Sequence, residues 1–279
     1  MRTIVLTAFA LLAFAANSVL CRQALATGQI EPAAFTLIRL TSGAICLALL
    51  ILVRRREALA QARKWFSAFL LFAYAAAFSF AYVKLTAGTG ALILFSSVQA
   101  TMIIAAIRAE QHPKPTEWLG LGLALAGLIY LVLPGIAAPP LFQAALMACA
   151  GIAWGLYSLM GRTVADPAAA TAGNFLRSVP FAVALAAPSL QNLKLTNAGI
   201  VLAVVSGAVT SGLGYVLWYS VVPSLGATRA AIVQLLVPIV AAFGGIVFLN
   251  EVLTPRLLVA AALSLAGVSL AIFFRQKLR

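Results

Sequence analysis

Acid–base, metal or nucleophilic chemistry needs carboxylates, imidazoles or thiols within reach of one another, and this chain places them apart. Its six acids are Glu31, Glu57, Glu110, Glu117, Asp166 and Glu251, and its one histidine is His112. All seven fall between apolar runs or at the edge of one. Cys21, Cys46 and Cys149 lie within apolar runs and read as small buried hydrophobes, not as a disulfide frame or metal site. Hydrolysis or metal-assisted chemistry inside such a chain needs these groups clustered. The sequence therefore predicts no catalytic residues, no metal and no cofactor.

What remains is recognition chemistry. Tyr74, Phe78 and Tyr82 stand at i, i+4 and i+8, one stripe of a helix. Trp154, Tyr157 and Ser158 form a second group, and Ser211, Tyr215, Trp218 and Tyr219 a third. Each stripe reads either as interhelical packing or an interfacial aromatic belt, or as the wall of a small-molecule cavity, mostly apolar with a few hydroxyl and indole donors. Gln99, Asn174 and Gln234 supply polar contacts for an amino or carboxyl group, or else interhelical hydrogen bonds. Arg39 and Arg177 each lie about two turns inside an apolar run, where a bare charge costs several kcal/mol. Either they set a positive cavity potential or meet a substrate carboxylate, or each caps carbonyls of a broken helix or snorkels to the surface. Lys84 reads as an interface anchor.

The elements that carry these residues are membrane helices. Hydrophobic residues make up 63% of the chain and charged ones 9%, against roughly a quarter charged in a soluble domain. Between Arg229 and Glu251 lie 21 uncharged residues, about 30 Å of helix, the thickness of a bilayer core. In that stretch Gln234 and Pro238 share a face one turn apart, and Gly244–Gly245 admits a neighbouring backbone. Ten spans are expected, near 3–22, 32–53, 65–85, 88–107, 117–134, 141–161, 168–190, 197–219, 227–249 and 255–274. The first is read as a retained helix, since its apolar run exceeds a typical signal-peptide core. The net charge of +13 sits in short loops rather than in a basic soluble module, which argues against nucleic acid. The loop 54–64 carries five cations, and Arg108, Lys114, Arg275, Lys277 and Arg279 fall on the same side. That side is expected to be cytoplasmic, with both termini.

A shift of 140 residues overlays the chain on itself. Ala13–Phe14 meets Ala153–Trp154, Ser18 meets Ser158, Arg22 meets Arg162, Ala91 meets Ala231 and Pro115 meets Pro255. Leu125–Ala126–Gly127 meets Leu265–Ala266–Gly267, and Gly120 and Ala124 meet Ala260 and Ser264. Helices after Glu31–Pro32 and Asp166–Pro167 begin alike. Five helices per half is an odd number, so the halves, 1–140 and 141–279, must be inverted in the membrane, the arrangement of alternating-access carriers. The small-residue stripes predict close helix packing, within the chain or with a second protomer. Hinges are expected at Gly212–Gly214 and around Pro238.

These residues also carry a resemblance. Gly226-Ala-Thr-Arg-Ala-Ala, Pro238, Leu249-Asn-Glu251 and Leu265-Ala-Gly267 are similar to the ten-helix EamA-type branch of the drug/metabolite transporter superfamily. Val98-Gln99-Ala-Thr-Met102, Arg108-Ala-Glu110 and Leu119-Gly120 with Ala126-Gly127 resemble its YddG-like aromatic amino-acid exporters. The first half departs from the second in having no proline at the position equivalent to Pro238. The resemblance covers the whole chain. It implies an all-α protein with ten transmembrane helices in two inverted five-helix repeats, in a bacterial inner membrane. It implies export of neutral or aromatic amino acids or similar small metabolites, by a monomer or homodimer in lipid. The alternative is another small metabolite or drug: a nucleotide-sugar, an organic phosphate or an amphipathic compound. Proton-driven carriers usually protonate an intramembrane acid or histidine, which this chain lacks. Facilitated diffusion or exchange is therefore expected.

Overall fold

Four helices open on proline, whose missing N–H is no loss where the helix has no carbonyl to offer it. In the computed structural model the helices are α1 (Arg2–Ala26), α2 (Pro32–Leu52), α3 (Trp65–Tyr82), α4 (Ala87–Ala109), α5 (Pro115–Val132), α6 (Leu141–Gly161), α7 (Pro167–Ala186), α8 (Asn197–Val204), α9 (Gly214–Gln234), α10 (Leu236–Leu249) and α11 (Pro255–Gln276). A π-helical segment, Val205–Leu213, joins α8 to α9, and a 3₁₀ turn, Ala187–Asn192, follows α7. The structure describes residues 2–52, 65–109, 115–135, 137–161, 164, 166–192 and 194–276. The basic loop 54–64 with Glu57, and Glu110, His112, Lys114, Arg162, Lys277 and Arg279, lie outside the described residues.

The helix ends follow from local chemistry. Asp166 caps α7, its Oδ1 accepting from the Ala169 amide at 3.0 Å, and Thr196 caps α8 through the Gly199 amide at 3.0 Å. Asn250 ends α10 with a φ of +54°, its amide donating to the Gly245 carbonyl, a left-handed cap that asparagine tolerates. Arg2–Ala26, Pro32–Ile51, Trp65–Tyr82, Ala87–Ala105, Leu141–Gly161 and Asn197–Val222 are long and apolar enough to cross a membrane. Trp118–Val132, Leu236–Leu249 and Pro255–Leu270 are shorter apolar helices. Large apolar side chains such as Ile4, Ile45, Phe243 and Phe248 face outward, which suits lipid.

Several expected boundaries shift. The loop predicted between 219 and 227 is helical: α9 continues to Gln234, and the break falls at Leu235. Pro238 cannot donate to the carbonyl one turn back, that of Gln234, so the ladder parts there. Across 220–224 the serines support the helix. Ser220 Oγ donates to the Leu217 carbonyl at 2.7 Å, and Ser224 Oγ to that of Val221 at 2.8 Å. Helix α1 also runs on to Ala26, and α3 stops at Tyr82.

Packing comes in matched pairs. Helix α3 lies on α6 as α1 lies on α9, and α4 lies on α6 as α1 lies on α10. Helix α7 packs on α3 as α2 packs on the π-helical segment. Three further pairs, α2 with α7, α4 with α10 and α5 with α11, join equivalent helices of the two halves. The small residues account for α5 and α11. A Cβ on Gly127 would meet Ser264 Oγ and the Ala260 carbonyl, and one on Gly267 would meet the backbone of Gly120 and Ala124. Ser264 Oγ reaches the Ala124 carbonyl at 3.4 Å. The stripes thus pack within the chain.

Candidate functional site

Four helices bring their aromatic stripes to one place in the middle of the bundle. Tyr74 and Phe78 of α3, Trp154 of α6 and Tyr215 of α9 line a cavity together with Phe14, Asn17 and Ser18 of α1. Leu94, Phe95 and Thr210 complete its wall. Centroids lie 5.4 Å apart for Tyr74–Phe78, 5.0 Å for Tyr74–Trp154 and 4.8 Å for Trp154–Tyr215. Phe14 meets Tyr215 edge-on at 5.9 Å and Trp218 at 5.7 Å. These are the offset and edge-to-face geometries that aromatic quadrupoles favour. Phe14 and Trp154, 140 positions apart, thus line the cavity from equivalent helices.

The cavity measures about 20 Å³, room for one water and not for a metabolite. A solute enters only when the rings part. A larger cleft of about 250 Å³ lies between α4, α10 and α11, but Leu92, Pro238, Phe243, Leu257 and its other lining residues are all apolar. It offers nothing to orient a polar solute, so the aromatic cavity is the candidate site.

Behind the tyrosines sits Arg39 of α2, 1% exposed. Its Nε donates to Ser211 Oγ at 3.2 Å and its Nη2 to the Tyr74 hydroxyl at 3.1 Å. Its guanidinium carbon lies 5.2 Å from the Tyr74 centroid and 4.9 Å from that of Phe78, a cation–π geometry. Its Nη1 is buried without a hydrogen-bond partner, as is the Tyr215 hydroxyl. The backbone allows this approach because α2 and the π-helical segment touch at Gly207, where a Cβ would strike the Arg39 carbonyl and Ser42 Oγ. Glycine and hydroxyl residues, VSGAVTSGL, suit a π-helical segment, a form that recurs at functional sites. Ser206 Oγ donates to Asn17 Oδ1 at 2.6 Å, and Thr210 Oγ1 lies 3.2 Å from the same oxygen. One side-chain carbonyl so ties α1 to this segment.

The other expected residues take different places. Tyr157 stacks on Trp154 at 5.4 Å and receives a hydrogen bond from Asn174 Nδ2 at 3.3 Å, so both stand one layer behind the wall. Ser158 Oγ donates to the Trp154 carbonyl at 2.8 Å. Tyr82 packs edge-on against Phe78 at 4.7 Å and donates to the Ala87 carbonyl at 3.2 Å. Trp218 flanks Phe14. Gln99 and Gln234 are buried, and Gln234 is the last residue of α9 before the break. Arg177 is half-buried, its Nη1 without a partner. Of the expected hinges, Gly212 lies in the π-helical segment and Gly214 opens α9; Pro238 follows the α9–α10 break.

One end of the bundle is strapped. Arg22 Nε pairs with Glu251 Oε1 at 3.0 Å, and Arg22 Nη1 donates to the Tyr82 and Val83 carbonyls at 3.2 and 3.0 Å. Glu251 Oε2 accepts from the Ala87 amide at 2.8 Å, at the positive N-terminus of α4. Ile30 and Leu195 form a β-bridge, and Arg256 donates to the Tyr130 and Leu133 carbonyls. The acids whose side chains are described, Glu31, Asp166 and Glu251, all lie outside the helices.

Comparison with known proteins adds three findings. Residues 1–133 and 141–273 each match the EamA-like transporter family. The chain is 50% identical, over 96% of its length and 94% of the relative's, to uncharacterized protein PA1977 of Pseudomonas aeruginosa. One solved structure, described only as a crystal structure of a protein, aligns with a TM-score of 0.66 at 18% identity, covering 96% of this chain and 98% of its own, a likeness of fold alone.

Proposed function

The chain belongs to the EamA-like transporter family, and from that premise we propose that it exports neutral or aromatic amino acids, or similar small metabolites, across a bacterial inner membrane by alternating access. Membership makes it a multi-pass membrane protein that transports small molecules. The substrate, direction and mechanism are our reading. The observation that carries it is the aromatic cavity among α1, α3, α6 and α9, with a buried cation behind its wall.

In this reading the ten spans form two inverted halves, 1–140 and 141–279, with both termini in the cytoplasm. The matched helix pairs support it, because each half offers the other the same surfaces. The eighth span is α8, the π-helical segment and the start of α9; the ninth is the end of α9 with α10. The strapped end then faces outward. Organic phosphates fit the site less well: a doubly charged group calls for several converging cations, and among the described residues Arg39 is the cation bonded to the cavity wall.

Counterflow in proteoliposomes loaded with unlabelled amino acids tests the reading. Labelled phenylalanine, tryptophan, leucine, methionine and threonine are offered outside without an ion gradient. Accumulation that Trp154→Ala, a change in the cavity wall, abolishes is the expected result. Accumulation only under a pH gradient would overturn uncoupled transport. No accumulation under either condition would remove amino acids as the substrate.

A further inference from the structure

We propose that Arg39, with the hydroxyls of Tyr74 and Tyr215, binds the carboxylate of the substrate, and that within the proposed class of amino acids and similar small metabolites the preferred member is a monoanionic carboxylate with an apolar or aromatic body, amino-acid zwitterions binding several-fold more weakly. The inference rests on reading the aromatic cavity as the substrate site, and it names the group that orients the solute there.

Charge balance makes the argument. Arg39 is buried within the bundle, and its hydrogen bonds go to two neutral hydroxyls, Ser211 Oγ and Tyr74 Oη. Among the described residues the ion pair is Arg22–Glu251, which leaves Glu251 committed elsewhere. A cation at this depth calls for a counter-charge, and a solute that moves through the cavity can supply it.

Donor geometry points the same way. Nη1 of Arg39 and the hydroxyl of Tyr215 are buried and lack partners, while Tyr74 Oη already accepts from Nη2. What this group lacks is an acceptor. A carboxylate has two oxygens, and an arginine meets them with geometric specificity. Tyr74 and Tyr215 both line the cavity, so an anion reaches the guanidinium once their rings part.

An ammonium fares worse. The side-chain carbonyl lining the cavity, Asn17 Oδ1, already lies within hydrogen-bond distance of Ser206 Oγ and Thr210 Oγ1. The faces of Tyr74 and Phe78 already meet the Arg39 guanidinium. A zwitterion neutralises Arg39 but brings a second cation to a wall that has little to pair with it. A monoanion closes the balance.

Four probes with one aromatic body separate the two charges: phenyllactate, phenylalanine, phenyllactamide and phenylalaninamide, titrated by calorimetry into the purified full-length protein. Phenyllactate is expected to bind at least tenfold more tightly than phenyllactamide, and several-fold more tightly than phenylalanine. In Arg39→Gln the acid-to-amide ratio is expected to fall within about twofold of one, the acid losing far more affinity than the amide. A purely structural arginine would weaken acid and amide alike. Should Arg39→Gln fail to fold, Tyr215→Phe, which removes one hydroxyl, is expected to lower the same ratio about three- to fivefold. An unchanged ratio in the variants that fold overturns Arg39 as the carboxylate site while the transport reading stands. Phenylalanine binding as tightly as phenyllactate overturns the preference for monoanions. If none of the four binds, the apolar-carboxylate reading of the cavity falls, and this inference with it.

Discussion

Trp154 holds three rings in place, those of Tyr74, Tyr157 and Tyr215, at 5.0, 5.4 and 4.8 Å. Truncating a buried tryptophan costs about 3–5 kcal/mol in a well-packed core. In the proposed transport cycle the loss is functional as well. Trp154→Ala is expected to cut counterflow more than tenfold in protein that retains its helical circular dichroism. Phe181→Ala is the control. Phe181 packs against Trp65, Phe69 and Phe72, away from the cavity, so its loss should lower thermal stability and leave the rate within about twofold of the parent. Equal loss of rate in the two variants would remove the cavity's special role. The wall was partly legible from spacing, since Tyr74 and Phe78 stand one turn apart. The 140-residue shift pairs Phe14 with Trp154, yet composition gives no reason to put this phenylalanine, one of sixteen, in the wall until its helix is placed. Tyr157 and Asn174 were legible as polar but not as partners of each other, since they lie on α6 and α7 and meet only when those helices pack.

Helices α5 and α11 approach closely because glycine leaves the room. Gly267→Ala would bring a Cβ to 2.6 Å from the Gly120 carbonyl, backbone that cannot swing aside. An overpacked contact of this kind costs about 1–3 kcal/mol, and the expected readout is a lower unfolding midpoint. Gly122→Ala, on the exposed face of α5, meets nothing within 4 Å and should be neutral or slightly stabilising, since alanine favours helix. A Gly267→Ala protein as stable as its parent would refute the close packing. Pro238 poses a different question, because it stands just after the α9–α10 break. Pro238→Ala returns a backbone donor to the Gln234 carbonyl. If the break is a working hinge, turnover should fall several-fold while substrate affinity is kept; unchanged turnover would make it a static kink. Small-residue spacing announces close packing of α5 and α11, because Gly127 and Gly267 recur at one shift, but not whether the partner lies in the same chain. The end of α9 was misjudged because Pro-Ser-Leu-Gly reads as a turn in water. Within a bundle the backbone bonds itself wherever it can, and the break moved to the proline whose absent N–H leaves a carbonyl free.

At the scale of the whole molecule, the straps join elements far apart in the chain. Arg22 and Glu251 are 229 positions apart, yet their pair connects α1, the α3–α4 turn and the segment after α10. With side chains 19% and 11% exposed, the pair is partly screened from water, so its two charges hold each other more firmly than a surface pair would. On the proposed orientation this end faces out and is shut. Alternating access then requires the pair to part once per cycle. Cys21, beside Arg22 and fully buried, reports on it in a background where Cys46 and Cys149 are serine. A membrane-impermeant maleimide is expected to label Cys21 slowly in that background and several-fold faster in Glu251→Gln, which weakens the pair without changing side-chain shape. The swap Arg22→Glu with Glu251→Arg should restore part of the protection. Gln at 251 can still accept from the Ala87 amide, so a faster reaction isolates the charge pair from the cap it shares. Labelling that stays slow in Glu251→Gln would make the pair a static brace, and the outward opening would have to begin at another strap, with Ile30–Leu195 or the Arg256 contacts next to be cut.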